Sequence, residues 1–300
     1  MTRTITAGLD GSAESLAAAG WAAREALLRN LPLKLVHVWE WQPYTRPPLG
    51  VPAFRPPREE YLSAEAVADL RRRHPALETV TERIAGQPVD ILPRAAKDAE
   101  LLVLGSRGLG SVAGFLLGSV ALATVARAER PVVLVRAGAD AADDHLPDED
   151  GLPSTTTPAR DVVLGLDLSR PCEELLEFAF DAASRRAATL RVIHGWSLPV
   201  FYGYNLQAAD PAQQAELEAQ EARALTDVLR PWRSKFPDVP VTEQAVIGRP
   251  AQHLVEAATE AGLVVVGRRI RRAPFGTHIG PVTHAVLHHA YAPVAVVPHD

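Results

Sequence analysis

The residues in this chain best suited to chemistry are glycines: Gly105-Ser106-Arg107-Gly108, then nine residues, then Gly118-Ser119. Glycine permits positive φ and lets backbone N–H groups approach a ligand with no Cβ in the way. The apolar run Leu101-Leu102-Val103-Leu104 ahead of them predicts a strand buried on both faces, and Val120 to Glu129 predicts a helix. A helix starting at Ser119 would present the positive end of its dipole. Strand, glycine loop and helix start together predict a phosphate cradle. For a lone glycine pair, a βα turn packed tightly by glycine is the plainer alternative; the full spacing narrows that choice.

The surrounding elements must position this loop. Thr4 to Ser12 predicts a short strand ending at Asp10, with Ser12 as the N-cap of an Ala-rich helix to Arg29. A carboxylate at the C-terminal end of a strand is where an open parallel sheet places ligand-contacting groups. A turn in which Asp10 bonds only local N–H groups is an equal alternative. Leu33 to Trp41, Val80 to Ile84 and Pro131 to Val135 predict further strands, and Glu59 to His74 and Val89 to Ala99 further helices. Between Trp41 and Glu59 a loop with prolines at 43, 47, 48, 52, 56 and 57 reads as stiff and extended, either a lid over a ligand or a plain connection. The alternation β-α-β-α-β-α-β-α-β predicts an α/β domain.

Residues 138–158 change character. They are rich in Asp, Pro, Ser and Thr and have no apolar period, which predicts a mobile linker. After it the pattern restarts: Asp10 and Asp167, His37 and His194, and Trp39 and Trp196 each stand 157 positions apart. From Gly86 and Gly248 onwards the offset is 162, through Pro88/Pro250, Gly105/Gly267, Gly118/Gly280 and Pro131/Pro293. One step of five residues between Trp39 and Gly86 means duplication with one net insertion. The expected domains are therefore 1–137 and 159–300, joined by 138–158.

The spacing G-x2-G-x9-G-[ST] resembles the nucleotide signature of the ATP-binding universal stress protein family. Also similar are the strand-end aspartate, the strand Leu35-Val36-His37-Val38, the Gly86-x-Pro88 turn and the terminal strand Pro131-Val132-Val133-Leu134-Val135. The likeness covers both repeats and suggests the tandem form of the family. It implies two doubly wound domains, each with a five-stranded parallel sheet of order 3-2-1-4-5, an adenine nucleotide alpha hydrolase-like fold. The implied ligand is ATP, with Mg²⁺ left open as its companion. The backbone of Val38 would meet the adenine, and Gly8 and Asp10 the base and ribose side. Gly105, Ser106, Arg107, Gly108, Leu109, Gly110 and Ser111, with Gly118, Ser119 and Val120, would meet the phosphates. Arg107 reads equally well as a solvated loop arginine. The two repeats would pair through residues 131–135 and 293–297 as a pseudo-dimer within the chain, with a homodimer left open.

Repeat two departs from the motif, with Ile270 at the position of Gly108 and Pro281 at that of Ser119. The first disfavours positive φ, and the second removes a hydroxyl and an N–H donor. Gly165, Asp167, Gly267, Arg268 and Gly280 are accordingly the weaker candidates, and repeat one is expected to hold the nucleotide. His284, His288 and His289 include an i,i+4 pair able to bind metal, but no neighbouring carboxylate or cysteine completes a set, so no metal site is assigned. Cys172, at the expected first turn of a helix, reads as an inert thiol.

Composition narrows the function. A net charge of −5 gives no footprint for nucleic acid. The single cysteine fits a reducing compartment, and no run of about eighteen apolar residues occurs, so a soluble cytoplasmic protein is expected. G-x4-G-K-[ST] is missing, and the three lysines, Lys34, Lys97 and Lys235, lie outside the glycine loop, so no catalytic residue is assigned. The leading expectation is a nucleotide-dependent regulatory stress protein. A slow ATP hydrolase and a nucleotide-free interaction module remain alternatives.

Overall fold

The computed structural model describes residues 3–39, 58–106, 117–197, 211–270 and 279–300. The chain divides into two compact units, Met1–Ala141 and Ala142–Asp300. The first runs β1 (Thr4–Leu9), α1 (Ala13–Arg29), β2 (Leu33–Trp39), α2 (Arg58–Arg73), β3 (Thr79–Ala85), α3 (Pro88–Lys97), β4 (Ala99–Ser106), α4 (Ser119–Arg127) and β5 (Val132–Arg136). Its strands lie in the order β3-β2-β1-β4-β5, each pair parallel, as the family resemblance implied. Helices α1 and α2 pack together, and so do α3 and α4. Layering the sheet on two sides explains why Ile5, Ala7 and Leu101 to Leu104 are buried. At the edge, β3 is half exposed and polar, and Lys34 of β2 pairs with its Glu82.

The second unit repeats this plan with β6 (Val162–Gly165), α5 (Glu173–Arg186), β7 (Leu190–Trp196), α6 (Pro211–Lys235), β8 (Val241–Ile247), α7 (Pro250–Ala257), β9 (Leu263–Arg269), α8 (Pro281–His289) and β10 (Val294–His299). Its order is β8-β7-β6-β9-β10, again parallel throughout. Arg73 and Lys235 end α2 and α6 and already stand 162 apart, so the five-residue step falls before those helix ends.

Helix termini show how local chemistry sets the elements. Ser12 caps α1, its Oγ accepting from Ser15 N, and the helix closes at Asn30 in the left-handed region, φ 51°. In repeat two Ala187 holds the same left-handed position, φ 49°, without the side-chain tolerance of asparagine. Within α1, Glu25 and Arg29 form a buried ion pair at 2.5 Å, whereas repeat two has Ala182 and Arg186 there.

Residues 138–158, the expected linker, hold local turns. A short 3-10 turn spans Ala142–Asp144, and His145 bridges antiparallel to Ala159. Leu146 N donates to Pro158 O at 2.9 Å, while Asp148 Oδ1 accepts from Asp150 N and Leu152 N. Asp148, which read as disorder-promoting, instead satisfies turn amides, while the segment's two leucines, Leu146 and Leu152, stay exposed.

Candidate functional site

In the first unit winding reverses at β1, which has β2 on one side and β4 on the other, and there the strand ends open onto a cavity of about 230 Å³. Seven residues expected at a ligand line it: Gly8, Asp10, Val38, Gly105, Gly118, Ser119 and Val120. Gly118 is the N-cap of α4, and Leu122 N donates to Gly118 O. The amides of Ser119, Val120 and Ala121 therefore have no partner within the helix, and all three residues face the cavity. Arg107, Gly108, Leu109, Gly110 and Ser111 lie outside the described residues.

Two expected residues behave differently. Ser106 is buried and donates its Oγ to Val135 O at 3.2 Å. Successive strand residues point to opposite faces, so Gly105 meets the cavity and Ser106 turns to the neighbouring strand. Asp10 is exposed at the rim, and its Oδ1 accepts from Ser12 N at 2.9 Å and Ser12 Oγ at 2.5 Å. The local-turn role is thus present at a residue that also lines the cavity. Glu14, Ser15 and Leu92 also line the wall and were not singled out from the sequence. The first two arrive because the start of α1 lies directly over β4: a Cβ on Gly105 would stand 2.6 Å from the Glu14 carbonyl carbon and 2.8 Å from Ser15 N.

The corresponding cavity of repeat two is larger, about 370 Å³, with Gly165, Asp167, Gly267 and Gly280 on its wall. Its enlargement has a local cause. Gly195 replaces Val38, and α5 begins three residues later than α1 does, with Pro171 and Cys172 at the positions of Glu14 and Ser15. Arg268 does not line this cavity. It is buried on the other side of β9, while Arg269, one residue on, faces in with Arg170 and His299. His299 comes from β10, whose parallel register pairs it with Arg269. Ile270 has no positive φ, since only Asn30 and Ala187 do among the described non-glycine residues, and its N–H donates to His299 O at 2.6 Å. Pro281 opens α8.

A family model, the Universal stress protein family, matches residues 1–136 and again 158–298. The chain belongs to the universal stress protein family. Among its relatives, universal stress protein Rv2005c of Mycobacterium tuberculosis (strain H37Rv) is 36% identical over 304 residues, covering 97% of this chain and 96% of its own. A universal stress protein of Mycolicibacterium smegmatis is 33% identical, covering 98% and 96%. The crystal structure of a universal stress protein from Archaeoglobus fulgidus aligns over 100% of both chains with a TM-score of 0.63 at 16% identity, a likeness of fold.

Electrostatics set the two repeats of this universal stress protein apart. Among the described residues the repeat-one cavity is lined by Asp10 and Glu14 and by no Lys, Arg or His, whereas the repeat-two cavity has Arg170, Arg269 and His299 beside a single carboxylate, Asp167. Lys34, Lys97 and Lys235 pair with Glu82, Glu129 and Glu177, away from both. Burial and a hydrogen bond to Glu174 push the Cys172 thiol up to about 11, so the helix start does not activate it. Glu174 is held below the usual range by that same bond first, and by His299 among lesser causes. Burial, then His288 and His289, lower the pKa of His284, whose ring lies 4.4 Å from that of His288. Among the described residues no group of three or more His, Cys, Asp or Glu could hold a metal ion, and no described helix is long and apolar enough to cross a membrane.

Proposed function

We propose that this chain is a cytoplasmic stress-response regulator that binds ATP in repeat one and changes its protein contacts with nucleotide state. One observation carries the reading: the first turn of α4 faces Asp10 and Val38 across a single cavity at the point where winding reverses. In this reading the Val38 backbone takes the adenine edge and Asp10 the ribose. The free amides of Ser119, Val120 and Ala121 take phosphate, joined by residues of the 107–111 stretch. Mg²⁺ would fit beside Asp10 and Glu14, the two carboxylates on the wall, and would screen their charge from a polyphosphate. Repeat two is the weaker nucleotide candidate. Pairing of the two repeats within the chain belongs to the same proposal, supported by the two family matches in tandem.

Turnover is not part of this reading, because no lysine lines the described wall and its two carboxylates, Asp10 and Glu14, are taken up by the ribose and Mg²⁺ in it. The acidic wall of repeat one favours a second reading, a nucleotide-free interaction module. Denaturing the pure protein and analysing what it releases decides between them. An adenine nucleotide supports the proposal, and none supports the module. A steady-state phosphate release of about 1 per second or more would replace regulation with hydrolysis.

A further inference from the structure

The motif that makes repeat two a poor main-chain cradle is accompanied by two arginines and a histidine that repeat one lacks. Arg170 sits in the turn after β6, Arg269 ends β9 and His299 ends β10, and all three line one cavity of about 370 Å³. Both arginines are exposed, and neither guanidinium is engaged by another described residue. The carboxylates nearby are already held: Asp167 Oδ1 accepts from Ser169 N and Oγ, and Glu174 accepts from Cys172 Sγ. Forked guanidinium groups suit phosphate oxygens in a way that single point charges do not.

We infer that the repeat-two cavity is a site for a compact phosphorylated anion, clamped by the Arg170 and Arg269 side chains with His299 rather than cradled by backbone amides. The replacements work together. Pro281 removes an amide from the first turn of α8, and the N–H of Ile270 is spent on His299 O, so main-chain donors are lost where side-chain donors are gained. Gly195 in place of Val38 keeps the backbone but lets Pro250 close on that wall, where a Cβ would stand 2.7 Å from the Pro250 Cα, while the donors gathered in this cavity are arginine side chains; the phosphate part of a ligand, and not a base, supplies the recognition. This site does not depend on nucleotide occupancy of repeat one.

The probe is inorganic tripolyphosphate, titrated by calorimetry into the full chain with adenosine and ATP as separate arms. Tripolyphosphate is expected to bind with an affinity that falls as salt rises, since the arginines are exposed. In R170Q/R269Q it should bind at least about tenfold more weakly, the scale of one lost charge-assisted hydrogen bond. A thermal melt checks that the variant folds, and retention of its repeat-one nucleotide separates failure here from failure of the repeat-one proposal. Cys172 is the chain's single cysteine and lines the same cavity, so bound tripolyphosphate should slow its labelling by a thiol reagent. Absence of binding, affinity unchanged in R170Q/R269Q, unchanged Cys172 labelling, or adenosine binding that R170Q/R269Q weakens as strongly would each overturn the inference.

Discussion

His37 donates its Nδ1–H to the Leu9 carbonyl at 3.0 Å, tying the end of β2 to the end of β1 beside the cavity. A carbonyl only accepts, so this bond fixes the ring tautomer. Repeat two repeats the relationship: His194 Nδ1 lies 3.0 Å from Leu166 O. The histidine that recurs in the second strand of each repeat is therefore a clamp on the strand end that displays Gly8 and Asp10, or Gly165 and Asp167.

Removing either histidine should destabilise its unit. Losing a hydrogen bond and leaving a strand-end carbonyl unpaired costs about 1–3 kcal/mol. His194→Ala should cost more than His37→Ala, because His194 is buried and its Nε2 also faces Glu221 at 3.4 Å. Urea unfolding of the two variants checks the order, and equal losses would contradict it.

Gly105→Ala and Gly267→Ala should differ in the same assay. At Gly105 the new Cβ meets the backbone of Glu14 and Ser15, which can move only if α1 moves, at a cost of about 1–3 kcal/mol. At Gly267 it meets the His299 ring and the end of Leu175, side chains able to shift. A larger loss for Gly267→Ala would show that the packing of α1 over β4 has been misjudged.

Asp10→Ala and Gly118→Val should weaken ATP binding while leaving the protein folded. The first removes a charged hydrogen-bonding group worth about 1.5–3 kcal/mol, roughly ten- to hundredfold in affinity; the second pushes a side chain towards the proposed phosphate path. Wild-type affinity by calorimetry in both folded variants would place ATP elsewhere.

Cys172 should react slowly and in a pH-dependent way. With its pKa raised to about 11, the alkylation rate of folded protein should keep climbing about tenfold per pH unit up to pH ~10, with no plateau near an ordinary thiol's value. The sign for stability follows: the fold favours the protonated thiol. Its contribution is full below the unfolded pKa and lost as pH rises from there towards about 11. A rate that levels off below pH 9 would show an activated thiol instead.

Ala187→Gly should stabilise the second unit by about 0.5–1 kcal/mol. Relief of a left-handed backbone at a residue with a Cβ outweighs the extra freedom glycine gains in the unfolded chain. Asn30 already meets this need in repeat one, so Asn30→Gly should change stability less in a parallel thermal melt.

Sequence alone determined the duplication and the family, because these depend on local periodicity and on glycine and proline at fixed spacings; the strand order within each unit followed only from the family resemblance. The offsets of 157 and 162 are visible without coordinates. Which side chains share a cavity depended on register and on where helices begin, and neither is encoded next to the residue concerned. The strand pleat turned Ser106 towards β5 and exchanged Arg268 for Arg269, although both had read as part of their motifs. His299 reached the second cavity only through the pairing of β10 with β9, and Glu14 reached the first only because α1 starts three residues earlier than α5 does. Those tertiary relations, rather than the glycine spacing, gave one repeat an acidic wall and the other a basic one.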